Sequence, residues 1–544
     1  MLSSLFDKPA ELAGGELSMI TKNYKTATVY DTTLRDGAQS SDVNLGVRDK
    51  IELLKVLDDF GVDYVELGWP ASNEKDMEVF LEASKLKLKN AKVVAFGSTK
   101  RFGIKAEDDA NLRAIISSKA KTACIFGKTW IDHIEKQLKI TPEENLAAIE
   151  DSIMFLRKNN MKVFYDLEHF FDGFKDNKSY ALKCIKTAAN AGAEAIVMCD
   201  TNGGTLPDEL GKIVSEVKDF MKKNKINAEL GIHCHDDSGC GVANTLKAVS
   251  LGCTHVQGTI NGFGERCGNA NLCSIIPDLV LKMNVKLPKI KLSRLENISS
   301  IAFTLANRKQ NIHQPYVGKN AFAHKGGVHV DAVMKGASYE HINPELVGNK
   351  REIILSELSG RANIVEVAKK FGISLDKKDP KALAMLKEVE VMEKKGYDIG
   401  SLEAEQYLLT KKYFGKYKDF FKISTWRIMS EQRNGELSEC VLTGFVDGKD
   451  RQVVAPVKGG PVDATFTALR KMVATSYKNI ENVKLINYKV MIAEDSGAES
   501  SVRVYIEFKS NGDEWGCVGV STNILEASLE AIEKGFRYFL LKYG

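Results

Sequence analysis

TVYDTTLRDGAQ, residues 28–39, opens as an apolar, β-branched run and closes on an arginine, a carboxylate and a glycine. Read as a strand over 28–34, it delivers Arg35 and Asp36 at its C-terminal end. Seven further runs share this character: VDYVELG (62–68), KVVAFGS (92–98), TACIFG (122–127), MKVFYDL (161–167), EAIVMCD (194–200), AELGIHCH (228–235) and THVQGTI (254–260). Helical patterns lie between them. VRDKIELLKVLDDFG (47–61) spaces Ile51, Leu54, Leu57 and Phe60 at helical intervals. TPEENLAAIEDSIMFLRKN (141–159) and KSYALKCIKTAANAGA (178–193) follow the same helical plan, and the first of these begins with a Thr N-cap, a proline and an acidic first turn. Eight buried strands alternating with helices predict a (β/α)8 TIM barrel over residues 27–285, in preference to an open doubly wound sheet.

Unusual polar residues fall at the C-terminal strand ends: Arg35 and Asp36, Glu66, Glu168, Asp200 with Thr201, His233 with His235, and Asn261. In a barrel that face carries the active site. A strand repeats every two residues, so His233 and His235 of HCHDD point to one side. With Asp36 they form a ligand set suited to Zn, Mn, Fe or, with water, Mg. Asn269 in GERCGNAN (264–271) either completes that set or caps the loop beside Gly268. Arg35 would meet a substrate carboxylate or oxygen charge developing in the transition state; its alternative is a structural salt bridge. Thr201, in CDTNGGTLP, is a carboxylate contact or an N-cap. Glu168, in YDLEHFFDG, is a general acid/base or a solvent-facing strand end. Cys267 reads as a bystander thiol.

The rest of the chain reads as further layers. Residues 1–26 look like an N-terminal extension without the features of a secretory signal. Residues 286–415 read as a mostly helical linker, interrupted by AHKGGVHVDAV (323–333). Residues 416–544 contain a repeat: TWRIMSE (425–431) matches YKVMIAE (488–494), and VDATFTAL (462–469) matches LEASLEAI (525–532). Both offsets are 63 (488 − 425 and 525 − 462), and GKD (448–450) and NGD (511–513) keep it at a hairpin-type turn. This predicts a duplicated α+β module that serves for sensing or dimerisation, or else as a packing appendage. A net charge of +4 on 544 residues gives no case for nucleic acid. No apolar run is long enough to cross a bilayer. Ten scattered cysteines suit a reducing cytoplasm.

DTTLRDGAQ, HCHDD and GFGERCGNANL resemble the metal-dependent Claisen-type synthases that include 2-isopropylmalate, homocitrate and citramalate synthases. The resemblance runs from about residue 27 to 544. ELGWPASNEKD (66–76), YDLEHFFDGFK (165–175), CDTNGGTLP (199–207) and HKGGVHVDAV (324–333) look most like the bacterial citramalate synthase branch. The resemblance implies a TIM barrel, a helical linker and a two-part regulatory domain. It implies Asp36, His233, His235 and Asn269 as ligands of a divalent metal (Mg, Mn or Zn). It makes Arg35 electrophilic, and Arg35, Gln39 and Thr201 substrate contacts. It brings Glu168, His329 and Tyr339 into catalysis, the last two from the linker and usually toward the partner subunit's site. It implies acetyl-CoA and a 2-oxo acid, pyruvate first and 2-oxoisovalerate as the alternative, an isoleucine effector, and a homodimer or larger homo-oligomer. A lyase of hydroxymethylglutaryl-CoA and an amino-acid sensor on a retired barrel are the rival expectations. HDD here replaces the HND frequent in relatives, which leaves the hydrogen bonding of Asp236 open.

Overall fold

The computed structural model describes residues 26–326, 339–356, 359–376, 378–400, 402–415, 417–432, 436–492 and 500–544. These form two compact units. His329 lies outside the described residues.

The first unit, residues 26–322 with Ile342–Lys350, is the barrel. Its strands are β1 (Thr28–Asp31), β2 (Tyr64–Gly68), β3 (Lys92–Ser98), β4 (Thr122–Lys128), β5 (Lys162–Glu168), β6 (Ala195–Asp200), β7 (Glu229–Cys234) and β8 (His255–Gly258). They pair in parallel in chain order, and β8 closes on β1 with Val29 opposite Val256. The interleaved helices are α1 (Val47–Phe60), α2 (Glu74–Ala83), α3 (Ala110–Ser117), α4 (Pro142–Lys158), α5 (Phe170–Asn190), α6 (Pro207–Lys223) and α7 (Gly241–Ser250), and α8 (Leu295–Leu305) follows β8. The sequence signals work locally as read. Thr141 caps α4 by accepting from the Glu144 amide, while Glu144 Oε2 accepts from the Thr141 amide at 2.7 Å. Leu54, Leu57 and Phe60 of α1 are buried in the layer between helices and strands. Tyr30, Tyr64, Phe96 and Phe164 fill the barrel interior.

Two differences from the sequence reading matter. Helix α5 begins at Phe170, eight residues before the expected 178 (178 − 170), with a kink at Asn177. Strand β1 ends at Asp31, not Leu34. The Asp31 carboxylate accepts from both the amide and the hydroxyl of Thr33, at 3.0 and 2.8 Å, and so folds the chain into a turn. The amides of Arg35, Asp36 and Gly37 then all donate to the Thr32 carbonyl.

The second unit holds the described residues of 323–326, 339–341 and 351–544. Helices α9 (Arg361–Lys370), α10 (Pro380–Lys394) and α11 (Glu403–Phe414) precede two three-stranded antiparallel sheets. The first sheet is β9 (Phe421–Gln432), β10 (Glu436–Val446) and β11 (Lys449–Val457), followed by α12 (Pro461–Ala474). The second is β12 (Lys484–Ile492), β13 (Val502–Ser510) and β14 (Asp513–Ser521), followed by α13 (Ile524–Tyr543). The helices start 63 residues apart (524 − 461), as the repeat requires. The hairpin turns are 64 apart (511 − 447), because their left-handed pairs are Asp447-Gly448 and Asn511-Gly512. Both copies share one core, in which Phe466 of α12 meets Phe536 of α13 and Phe508 of β13.

Helix α11 belongs to two cores. Leu409 packs with Ile364, Met385 and Val389 of the preceding helices. Ala404 and Leu408 pack into the core of the duplicated module. The buried Glu405 carboxylate accepts from the Val518 amide of β14 at 2.9 Å and pairs with Lys534 of α13 at 3.4 Å. No helix among the described residues is long and apolar enough to cross a membrane. All ten cysteines are free thiols.

Candidate active site and metal centre

The C-terminal barrel face opens into a cavity of about 230 Å³ lined by Arg35, Asp36, Gln39, Trp69, Phe96, Phe126, Asp166, Glu168, Cys199, Thr201, His233, His235, Glu265 and Arg266. The early end of β1 shapes it. Neighbouring residues of a strand point to opposite sides, whereas the turn after Asp31 lets both Arg35 and Asp36 face the cavity. Two strands round the barrel, the end of β7 brings His233 Nε2 to 3.2 Å from Asp36 Oδ2, and His235, just past that end, brings its Nε2 to 3.9 Å. One ligand atom from each of these three buried residues lies within 4.8 Å of the other two.

Burial alone would raise the Asp36 carboxyl, but Arg35 and the two imidazoles hold it well below the usual carboxylate range. Burial likewise disfavours the charged form of His233, yet its hydrogen bond and charge pairing with Asp36 win and raise it. Burial dominates at His235 and lowers it to about 4, which leaves a neutral imidazole, the form that binds a metal.

Asn269 Nδ2 donates to Asp36 Oδ2 at 2.7 Å and lies 3.3 Å from His233 Nε2. The amide therefore presents its positive end to two electron-rich ligand atoms, while Asn269 Oδ1 and His235 Nδ1 remain buried without a hydrogen-bond partner. A site of carboxylate and imidazole donors, with a partnerless amide oxygen beside it, fits a divalent cation of mixed nitrogen and oxygen preference.

Arg35 is fixed on three sides. Its Nη1 is 3.0 Å from Asp36 Oδ1, its Nε is 2.5 Å from Glu66 Oε1, and its guanidinium lies 3.7 Å over the Phe96 ring. Burial works against its charge, but Asp36 and Glu66 keep it protonated. Glu66 is itself held by Tyr30, whose hydroxyl donates to Oε2 at 2.5 Å. Phe96 stacks on Phe126 with ring centres 5.4 Å apart, and Trp69 meets both edge-on at 5.7 Å. These three rings wall the cavity beside Arg35.

The Thr201 hydroxyl accepts from the His169 amide at 2.8 Å, which leaves its own proton available to the cavity. His169 holds a left-handed backbone conformation (φ 55°) to make that contact. Glu168 pairs with Lys128 at 2.6 Å. Gln39 is exposed at the rim. Cys199 lines the cavity, but burial pushes its thiol well up, so it is no nucleophile. Tyr339 is about half exposed and belongs to the second unit.

The departure at Asp236 is accommodated: its Oδ1 accepts from the Gly241 amide at 2.6 Å, at the start of α7. An acceptor is all that position needs. Arg266 was not picked out from the sequence. It donates to Asp237 at 2.7 and 3.0 Å and to the Thr201 carbonyl at 2.8 Å, bridging two loops at the mouth. Its motif, GERCGNAN, carried the signal, but the glycines and Asn269 drew the reading.

Residues 27–301 match the HMGL-like family, 316–395 the homocitrate synthase post-HMGL domain-like family, and 402–540 the LeuA allosteric (dimerisation) domain. The chain is 47% identical over 520 residues to an (R)-citramalate synthase of Geobacter sulfurreducens, covering 94% of this chain and 97% of the relative. It is 44% identical to an (R)-citramalate synthase of Aquifex aeolicus, covering 94% and 98%. A 2-isopropylmalate synthase of a Geobacillus species is 30% identical, over 92% and 94%. With the barrel and both later domains matched over nearly its whole length, the chain belongs to the citramalate synthase family of HMGL-like acyltransferases.

Proposed function

We propose that the chain condenses acetyl-CoA with pyruvate and water to give (R)-citramalate and CoA, supplying isoleucine biosynthesis in the cytoplasm. The observation that carries this reading is the clamped Arg35 beside the Asp36, His233 and His235 cluster, at the floor of a small aromatic-walled cavity. Those three residues and Asn269 would hold the divalent cation, and Mg, Mn and Zn all suit the donor set. When bound, the cation polarises the acceptor ketone.

Arg35 faces the negative charge that develops on the ketone oxygen, and its fixed position avoids reorganisation during the reaction. Thr201 donates its free hydroxyl proton to the acceptor carboxylate, with Gln39 contributing at the rim. The Trp69, Phe96 and Phe126 wall limits the acceptor's side chain, which favours a methyl over an isopropyl group. His329, assisted by Glu168 or Tyr339, removes the methyl proton of acetyl-CoA. His329 and Tyr339 come from the partner subunit of a homodimer. An adjoining cavity of about 240 Å³ shares Phe126 with the first and adds Lys100, Arg101, Phe102 and Lys128. Its cations and apolar walls suit the phosphates and arm of the CoA moiety. The duplicated module binds isoleucine as a feedback inhibitor.

CoA-thiol release from acetyl-CoA with Mg or Mn, across pyruvate, 2-oxobutyrate, 2-oxoisovalerate and 2-oxoglutarate, tests the reading. Pyruvate is the expected preferred acceptor. A preference for 2-oxoisovalerate overturns the assignment, and His329→Ala with full turnover removes His329 from the base role.

A further inference from the structure

The barrel interior beneath the cavity contains polar groups to which the condensation gives no task. Strand β8 carries His255 and Gln257 two residues apart, both on its inward side and both fully buried. A buried amide is tolerated when both its ends are hydrogen-bonded. Gln257 Oε1 lies 2.8 Å from His233 Nδ1. Its Nε2 lies 3.1 Å from Asp166 Oδ1 and 3.4 Å from His255 Nε2.

The chemistry of these neighbours fixes which way the amide points. A carboxylate accepts and cannot donate, so the NH2 end of Gln257 must face Asp166. The carbonyl end must then face His233, and an oxygen opposite Nδ1 requires a proton on Nδ1. A neutral imidazole protonated at Nδ1 has its lone pair on Nε2. That is the atom 3.2 Å from Asp36 Oδ2, so a second proton on the metal-free ring sits there, and it is that proton, not the one held by Gln257, that a cation would replace. His255 Nε2, at 3.4 Å, suits this arrangement as an acceptor; its buried Nδ1 lies 3.8 Å from Glu229 Oε2 and makes no hydrogen bond, and neither does the buried Nδ1 of His235.

We propose that Gln257 is a positioning residue whose amide, oriented by Asp166 and His255, holds His233 in the Nδ1–H tautomer and so presents Nε2 to the divalent cation. This rests on the reading of Asp36, His233 and His235 as metal ligands. Partners of this kind typically set metal affinity within about 10–100-fold.

The test is Mn titration of the chelator-stripped full-length chain by calorimetry, beside nitrogen-15 NMR of the nine histidines. His233→Gln identifies the His233 signal. Q257M keeps the bulk and removes both polar ends. Its Mn dissociation constant should rise about 10–100-fold, with kcat at saturating Mn within a few-fold of wild type. In metal-free protein at alkaline pH, wild-type His233 should carry its proton on Nδ1, and Q257M should gain the Nε2–H form. Mn affinity within twofold of wild type, or an unchanged tautomer in Q257M, overturns the role of Gln257. Should Q257M not fold, the wild-type spectrum decides, because an Nε2–H His233 there is incompatible with the proposal. A wild-type chain that binds no Mn would instead defeat the metal-site reading itself.

Discussion

At the scale of single residues, burial separates carboxylates that look alike in the sequence. Asp31 and Asp36 belong to one motif, yet Asp36 is ionised by its cationic neighbours while Asp31, without any, is pushed up to about 7 by burial. The folded state thus favours protonated Asp31. Its contribution to stability is full below the unfolded value near 4 and is lost as pH rises through about 7. The total is ~4 kcal/mol at most, from a shift of about three units at ~1.4 kcal/mol each. Asp31→Asn removes this titration, so the melting temperature of wild type should fall relative to D31N by several degrees between pH 4 and pH 7.5, as read by scanning calorimetry. A pH-independent gap would contradict the assignment. Phe126 makes a second residue-scale prediction. Phe126→Ala opens the wall beside Arg35, and the ratio of kcat/KM for 2-oxoisovalerate to that for pyruvate should rise ~10-fold or more. The sequence made the ligand set legible because two histidines at strand period and an adjacent Arg-Asp pair are rare together. Gln257 was illegible, since its importance comes from Asp166 on a strand 91 residues away.

At the scale of elements, alternation of apolar runs with helical periods was enough to count eight strands, and Thr141 announced α4 through a local cap. Where a strand stops is decided differently. Asp31 ends β1 through its own side chain, and a run of apolar and β-branched residues does not display that competition. The loop after β8 depends on a close approach. A Cβ on Gly264 would lie 2.0 Å from Asn269 Oδ1. Asn269 is also tied to Asp36, so Gly264→Ala should push the amide off the ligand cluster. Mn affinity is expected to drop ~10-fold or more, with little change in melting temperature. Unaltered Mn binding in G264A would show that Asn269 is dispensable to the site.

At the scale of the whole molecule, the 63-residue repeat revealed the duplicated module because both copies preserve helix starts at that spacing and hairpins within one residue of it. Which helices share a core was hidden, because α11 has apolar residues directed to two partners and no single apolar stripe. If isoleucine lowers affinity for pyruvate, linkage requires pyruvate to lower affinity for isoleucine by the same factor. Calorimetric titration of isoleucine with and without saturating pyruvate should show that factor; equal affinities in both conditions would confine any inhibition to turnover. The double burial of α11 has a further consequence for engineering. Cutting the chain at residue 415 to graft a regulatory module from a differently controlled synthase would leave Ala404, Leu408 and the Glu405 carboxylate facing a foreign surface. Chimeras joined there should aggregate. Grafts that start ahead of Leu355 and carry α9, α10 and α11 along with both sheets and their helices keep both of these cores whole, and so define the smallest interchangeable part.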